Sequence, residues 1–269
     1  KLATPDVTIA DLIGDVDPIK AATRRLTFAD EEVIHYGIIP RTNRGIFAIN
    51  ELPDLQPRIQ VGLLNILEER DLQIRGFPVR IPMDILLVFS ANPEDYTNRG
   101  NIITPLRDRI DSQILTHYPR TLQDGLAITR QEAWQERDGE VEVVIPEYLR
   151  EAVEIIAVRA RKSEFVDQSS GVSARLPISA LENLISAAER RGTLTGESRV
   201  HARPCDFVNL LPAVTGKVEL VYEGEQEGVV KVGKRLIGEA LKEVFLHTFP
   251  DAYREGAPED EAKHRLDVY

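Results

Sequence analysis

Apolar residues fall into short unbroken runs up to about residue 118 and into helical spacing after it. In the first regime, Gly45-Ile46-Phe47-Ala48-Ile49 is a compact, partly β-branched run closed by Pro53, which predicts a buried strand of a parallel sheet. From Pro57 to Arg70 the positions Ile59, Leu63, Leu64, Ile66 and Leu67 recur with helical period, and Pro57 suits a first turn. Leu72, Ile74, Val79 and Ile81 alternate around Gly76-Phe77-Pro78, the pattern of a β-hairpin. Ile85 to Ala91 predicts a second buried strand and Ile114 to Tyr118 a third, closed by Pro119. Upstream, Thr8 to Ile13 opens a short helix that Gly14 breaks, and Asp17-Pro18 starts another that runs to Arg25.

After Pro119 the period is helical. Leu122 to Arg137, Pro146 to Arg161, Pro177 to Arg191 and Leu236 to Phe249 each predict an amphipathic helix. Trp134 falls on the first of these and reads as a packing residue. Val218 to Tyr222 and Val229 to Val232 flank the acidic segment Glu223 to Gly228, which predicts a second hairpin over 218–232. The chain from Glu255 onward is polar and reads as frayed. The expected division is an α/β part, 1–118, and a mainly helical part, 119–269.

Composition narrows the function classes. A length of 269 residues with 42% hydrophobic and 29% charged positions is ordinary for a globular protein. The net charge of -11 argues against broad nucleic-acid binding, which relies on neutralising phosphates. A single cysteine, Cys205, rules out an internal disulfide and a cysteine-based zinc site, which fits a reducing cytoplasm. No run of about 18 apolar residues predicts a membrane span. The five histidines are scattered without metal-ligand spacing, and no Gly-x-Ser-x-Gly elbow is present.

Candidate chemistry sits where the apolar runs end. Asn50-Glu51 follows the first strand, and the C-terminal ends of parallel strands are where open α/β sheets bind ligands. An acidic residue there can polarise an attacking water; Asn followed by Pro53 equally suits the start of the next helix. Asn92 ends the second strand before Pro93. Its amide can orient a water or touch a phosphate, and it also suits an Asx turn. Arg107 and Arg109, in Thr104-Pro105-Leu106-Arg107-Asp108-Arg109, can neutralise charge on a phosphoryl group across a subunit interface. Taken alone, arginines near a helix end are surface charges. Arg175, just before a predicted helix, is a weaker candidate of the same kind.

Together these segments resemble the magnesium-chelatase and MoxR branches of the AAA+ ATPases. Gly37-Ile38-Ile39-Pro40-Arg41-Thr42-Asn43-Arg44-Gly45-Ile46-Phe47, continued to Leu52, is similar to the stretch through that family's Walker B strand. Asp11 to Asp17 resembles the lead into its helix-2 insertion, Glu68 to Leu87 its hairpin before sensor 1, Phe89-Ser90-Ala91-Asn92-Pro93-Glu94 its sensor-1 strand, and Pro105 to Ile110 its arginine-finger segment. The likeness covers residues 8–118 well and the helical part loosely. It implies an N-terminally incomplete parallel-sheet P-loop NTPase core followed by a helical lid. It further implies Glu51 as the Walker B glutamate, Asn50 at the Mg²⁺ position, Asn92 as sensor 1, Arg109 (or, second, Arg107) as the finger and Arg175 as sensor 2. ATP and Mg²⁺ are the implied cofactors. A hexameric ring and a partner with a von Willebrand A-type domain are the implied assembly.

Two departures stand out. The family has Asp where this chain has Asn50, and no G-x-x-x-x-G-K-[ST] occurs in the 269 residues. Gly216-Lys217 and Gly233-Lys234 lack the flanking residues of a phosphate loop. Because 44 residues precede Gly45 and the chain begins at Lys1, the loop is expected upstream. Two other functions stay open: a nucleotide-sensing ring scaffold with little hydrolysis, and a DNA-remodelling ATPase, for which Arg75 and Arg80 on the first hairpin are the only basic support.

Overall fold

The computed structural model describes residues 1–27, 30–74, 80–92, 101–137 and 139–249, and the chain divides into two units, Lys1–Leu115 and Thr116–Tyr269. The first unit opens with β1 (Leu2–Ala3), α1 (Ile9–Leu12), β2 (Gly14–Val16), α2 (Pro18–Arg24) and β3 (Ile34–Tyr36). Side chains start both helices. Thr8 accepts from the Asp11 N–H while the Asp11 carboxylate accepts from the Thr8 N–H, a reciprocal cap. Asp17 accepts from the Lys20 N–H ahead of Pro18. The antiparallel pairing of β2 with β3 depends on Gly14, at φ 123°, where a Cβ would lie 2.4 Å from the His35 carbonyl oxygen.

Next come β4 (Ile46–Ile49), α3 (Pro57–Glu69), β5 (Asp71–Gln73), β6 (Arg80–Pro82), β7 (Leu86–Phe89) and α4 (Thr104–Asp108). The strand over 45–49, the helix from Pro57 and the strand within 85–91 fall where the pattern placed them. β5 and β6 pair antiparallel as the arms of the first hairpin; its tip, Gly76-Phe77-Pro78, lies outside the described residues.

A parallel sheet in the order β1-β4-β7 organises this unit. Ala3, Phe47 and Ile49 are buried on one face, with α3 contributing Ile59, Leu63 and Ile66 to the same core. Full burial of a side chain such as Phe47 contributes roughly 1.5–3 kcal/mol. The opposite face is open. Leu2, Ile46, Leu86 and Val88 are 57%, 60%, 58% and 45% exposed, although parallel sheets are normally covered on both sides. Asn43 pins the start of the sheet: its Oδ1 accepts from the Asp84 N–H at 2.8 Å.

The strand expected at Ile114 to Tyr118 does not form. Residues 111–119 are irregular, with Ile114 88% and Leu115 76% exposed. An apolar run becomes a strand only beside a partner backbone, and no described strand pairs with it.

The second unit contains α5 (Leu122–Glu132), β8 (Glu142–Val144), α6 (Glu147–Ala160), α7 (Arg175–Thr195), β9 (Arg199–His201), α8 (Leu211–Thr215), α9 (Tyr222–Glu227) and α10 (Val229–Thr248). Its core gathers Leu149, Ile156, Leu181, Leu184, Phe207 and Leu236, each at most 2% exposed. The parallel pair β8–β9 went unpredicted because each strand is only three residues long. The hairpin expected over 218–232 is overturned, since Tyr222–Glu227 and Val229–Thr248 are helical. Val232, Leu236, Ile237, Ala240 and Val244 are buried at helical spacing, so the apparent β-branched strand is the first turn of a long helix. Gly228, at φ 88°, separates α9 from α10. α5 ends at Glu132, short of Arg137, which leaves Trp134 beyond it, 65% exposed with the Arg137 guanidinium over its ring; it is not the packing residue expected. No helix among the described residues is long and apolar enough to cross a membrane.

Candidate functional site

The ends of β4 and β7 lie side by side because the register pairs Ile49 with Phe89. The chain beyond each strand continues that contact. The Ser90 N–H donates to the Ile49 carbonyl at 3.0 Å, and the Leu52 N–H donates to the Ser90 carbonyl at 2.9 Å. The Ser90 hydroxyl accepts from the Glu51 N–H at 3.2 Å and donates to Asn50 Oδ1 at 3.3 Å. On the other side, the Asn50 N–H donates to the Ala3 carbonyl at 3.1 Å. Glu51 is exposed and left-handed, at φ 53° and ψ 52°. A non-glycine residue held there costs of order 1–2 kcal/mol, and the brace from Ser90 holds it.

The structure thus brings Asn50 and Glu51 together with Ser90, and Asn92 follows exposed two residues beyond Ser90. Arg107 and Arg109 stand at the end of α4. Arg107 is exposed. Arg109 Nε and its terminal NH₂ meet Glu68 Oε2 at 2.7 and 2.6 Å, and its other terminal nitrogen donates to the Pro105 carbonyl at 2.8 Å. Arg175 belongs to the second unit, exposed at the first residue of α7, where its N–H donates to the Ser173 hydroxyl.

Three participants escaped the sequence reading. Ser90 was legible only as a hydroxyl ending an apolar run. Gln60 is fully buried on the apolar face of α3; its Nε2 donates to the carbonyls of Leu55 at 2.9 Å and Asn101 at 3.1 Å, and its Oε1 accepts from the Ile103 N–H at 2.9 Å. It therefore ties the turn after Glu51 to the segment that leads into α4, and its signal was a polar residue within a hydrophobic stripe. Glu68 carried no signal. A hollow of about 400 Å³ lies beyond β1, lined by Pro5, Thr8, Ile9, Gln56, Arg58 and Ile59. None of the expected site residues lines it, so volume and chemistry point to different places, and the strand tips carry the chemistry.

Residues 23–114 match the family of the Sigma-54 interaction domain, a stretch that contains β4, β7 and α4. The fold is mixed α/β, a parallel sheet with helices followed by a mainly helical part. An archaeal Lon protease from Thermococcus kodakarensis is 30% identical over 169 residues, 56% of this chain. The chain spans about a quarter of that curated relative's length. Among solved structures, a RuvB variant from Thermotoga maritima is 14% identical, with 80% of this chain and 53% of that chain covered and a TM-score of 0.45. The complex of magnesium-chelatase subunits BchI and BchD is 16% identical over 84% of this chain and 72% of that chain, with a TM-score of 0.38. At these scores the likeness to both is loose.

The resemblance to AAA+ ATPases implies ATP with Mg²⁺, and the strand tips can be tested for that ion. They fit it poorly. Mg²⁺ takes oxygen ligands, preferring carboxylates, whereas Asn50 offers a neutral oxygen, one of whose two lone pairs already takes the Ser90 hydroxyl. No group of three or more His, Cys, Asp or Glu that could hold a metal occurs among the described residues.

Proposed function

We propose that this chain is the catalytic portion of a ring-forming AAA+ ATPase of the magnesium-chelatase/MoxR kind, coupling ATP hydrolysis to remodelling of a partner protein. The carrying observation is the meeting of Asn50, Glu51 and Ser90 at the C-terminal ends of two adjacent parallel strands, where α/β sheets bind ligands. In this reading the Glu51 carboxylate takes the proton of a water as its oxygen attacks the γ-phosphorus, and the bond to the ADP oxygen breaks. Asn92 orients that water. Arg109, or second Arg107, neutralises charge on a neighbouring subunit's nucleotide, which favours a head-to-tail ring such as a hexamer. Arg175 takes the sensor-2 role toward a γ-phosphate. A cation in the first turn opposes the helix dipole, which suits a residue kept to meet an anion. The partner class is a protein with a von Willebrand A-type domain, and the compartment is the cytoplasm.

The reading requires a phosphate-binding loop that these 269 residues do not contain, so its test uses the intact protein. ATP turnover should fall by roughly 10²–10⁴-fold in Glu51→Gln and in Arg109→Ala. Mixing the two variants should restore part of the activity, because some interfaces then pair an intact glutamate with an intact arginine. Wild-type ATP binding with no turnover above the Glu51→Gln background would overturn the enzyme reading. It would favour a nucleotide-sensing scaffold, which Asn50 in place of an acid supports.

A further inference from the structure

We infer that position 50 is a hydrogen-bond donor to a nucleotide phosphate rather than a ligand of a divalent cation, and that Ser90 sets it so. The inference rests on the ATPase reading and deepens it. An asparagine side chain has one accepting end and one donating end. Here the accepting end is engaged: Asn50 Oδ1 takes the hydrogen of the Ser90 hydroxyl at 3.3 Å. That hydroxyl cannot turn away freely, because its oxygen accepts the Glu51 N–H at 3.2 Å. A hydroxyl that accepts from one neighbour and donates to the next fixes the order of the chain, Glu51 N–H to Ser90 Oγ–H to Asn50 Oδ1. The amide NH₂ is thereby turned outward as the wholly unengaged end of Asn50, since none of the described residues receives a hydrogen bond from it, while Oδ1 keeps one lone pair beside the Ser90 hydroxyl. Asn50 is exposed at the end of the central strand, beside the glutamate proposed to act on water.

An aspartate at this place would present a negative charge to the phosphates and need a cation between them. A neutral NH₂ presents hydrogens to anionic oxygen directly, and hydrogen bonds to charged groups are the stronger kind. Nucleotide binding should then be nearly indifferent to magnesium as far as this position is concerned. Ser90 is a positioning residue, acting only through the orientation of Asn50 and the backbone of Glu51.

The experiment is calorimetric titration of the intact protein with ATP, in Mg²⁺ and in EDTA, for wild type, Asn50→Asp and Ser90→Ala. Relative to wild type under the same condition, Asn50→Asp should weaken binding by about tenfold or more in EDTA and by much less in Mg²⁺. Ser90→Ala should weaken binding equally in both conditions, since it frees the amide without adding charge. All three side chains concerned are exposed, and unchanged melting temperatures would confirm intact folding. An Asn50→Asp protein that binds as well as wild type in EDTA overturns the inference and leaves the ATPase reading standing. Absence of ATP binding in every protein under both conditions removes the ATPase reading and this inference with it.

Discussion

The two units handle left-handed backbone in opposite ways. Among the described residues of the second unit those with positive φ are Gly171, Gly196 and Gly228, the residue type for which that conformation is nearly free. Among the described residues of the first they are Gly14 and four residues with side chains, Arg25, Arg44, Glu51 and Arg70. Two of these, Arg25 and Arg70, end helices, where glycine is the usual choice. The other two bracket β4, with Arg44 just before Gly45 and Glu51 just after Asn50. The contrast extends to packing. The helices of the second unit gather a large core, while the parallel sheet of the first unit leaves one face in solvent. A region built only to be stable would not hold a charged side chain in strained backbone at a strand tip. Such outliers often collect at functional sites, which makes Glu51 the position to test.

The comparison can be broken most forcefully at the cores. Phe207→Ala, in the second unit, should cost about 3–5 kcal/mol in denaturant unfolding followed by circular dichroism. Ile46→Ala, on the open face of the sheet, should stay within about 0.5 kcal/mol. Comparable losses for the two would show that the face is covered in solution. A smaller effect is expected from Glu154, buried on α6 with its Oε2 accepting the Thr129 hydroxyl at 2.9 Å. Burial raises its pKa above the usual glutamate value, against the opposing pull of Thr129 and Arg161. The folded state then holds the proton to higher pH than the unfolded state, so the contribution is fully present below the unfolded pKa and is lost as pH rises through the raised one. The second unit should therefore lose stability across that window, and Glu154→Gln should flatten the profile. A small change of the opposite sign should come from Glu51→Gly, which relieves the left-handed strain against a more flexible unfolded chain and should raise stability by about 1 kcal/mol or less. A loss instead would mean that the Glu51 side chain makes a stabilising contact.

The elements legible in the sequence are those whose signal is local. The cap of Thr8 with Asp11, the Asp17-Pro18 start, the helix from Pro57 and the runs at 46–49 and 86–89 each carry their own chemistry within a few residues. What failed depended on distant partners. Ile114 to Tyr118 has strand composition but no neighbouring strand, and Val229 to Val232 has β-branched residues but belongs to a helical period that extends to Val244. The site divides along the same line. Asn50 and Glu51 could be found as polar residues at the end of an apolar run. The brace from Ser90, 39 residues beyond Glu51, exists only once β4 and β7 are in register. Likewise Glu68, 41 residues before Arg109, shows nothing of the pairing that occupies this arginine.

The bare face of the β1-β4-β7 sheet has a consequence for colloidal behaviour. Leu2, Ile46, Leu86 and Val88 present aliphatic groups on a flat surface, and such surfaces stack against their own kind at a spacing of about 10 Å. A net charge of -11 keeps copies apart. Added salt screens that repulsion within roughly a nanometre, and sulfate or phosphate strengthens apolar association as well. Dilute buffers of low ionic strength should therefore keep these 269 residues dispersed, and concentrated sulfate should draw them out of solution face first.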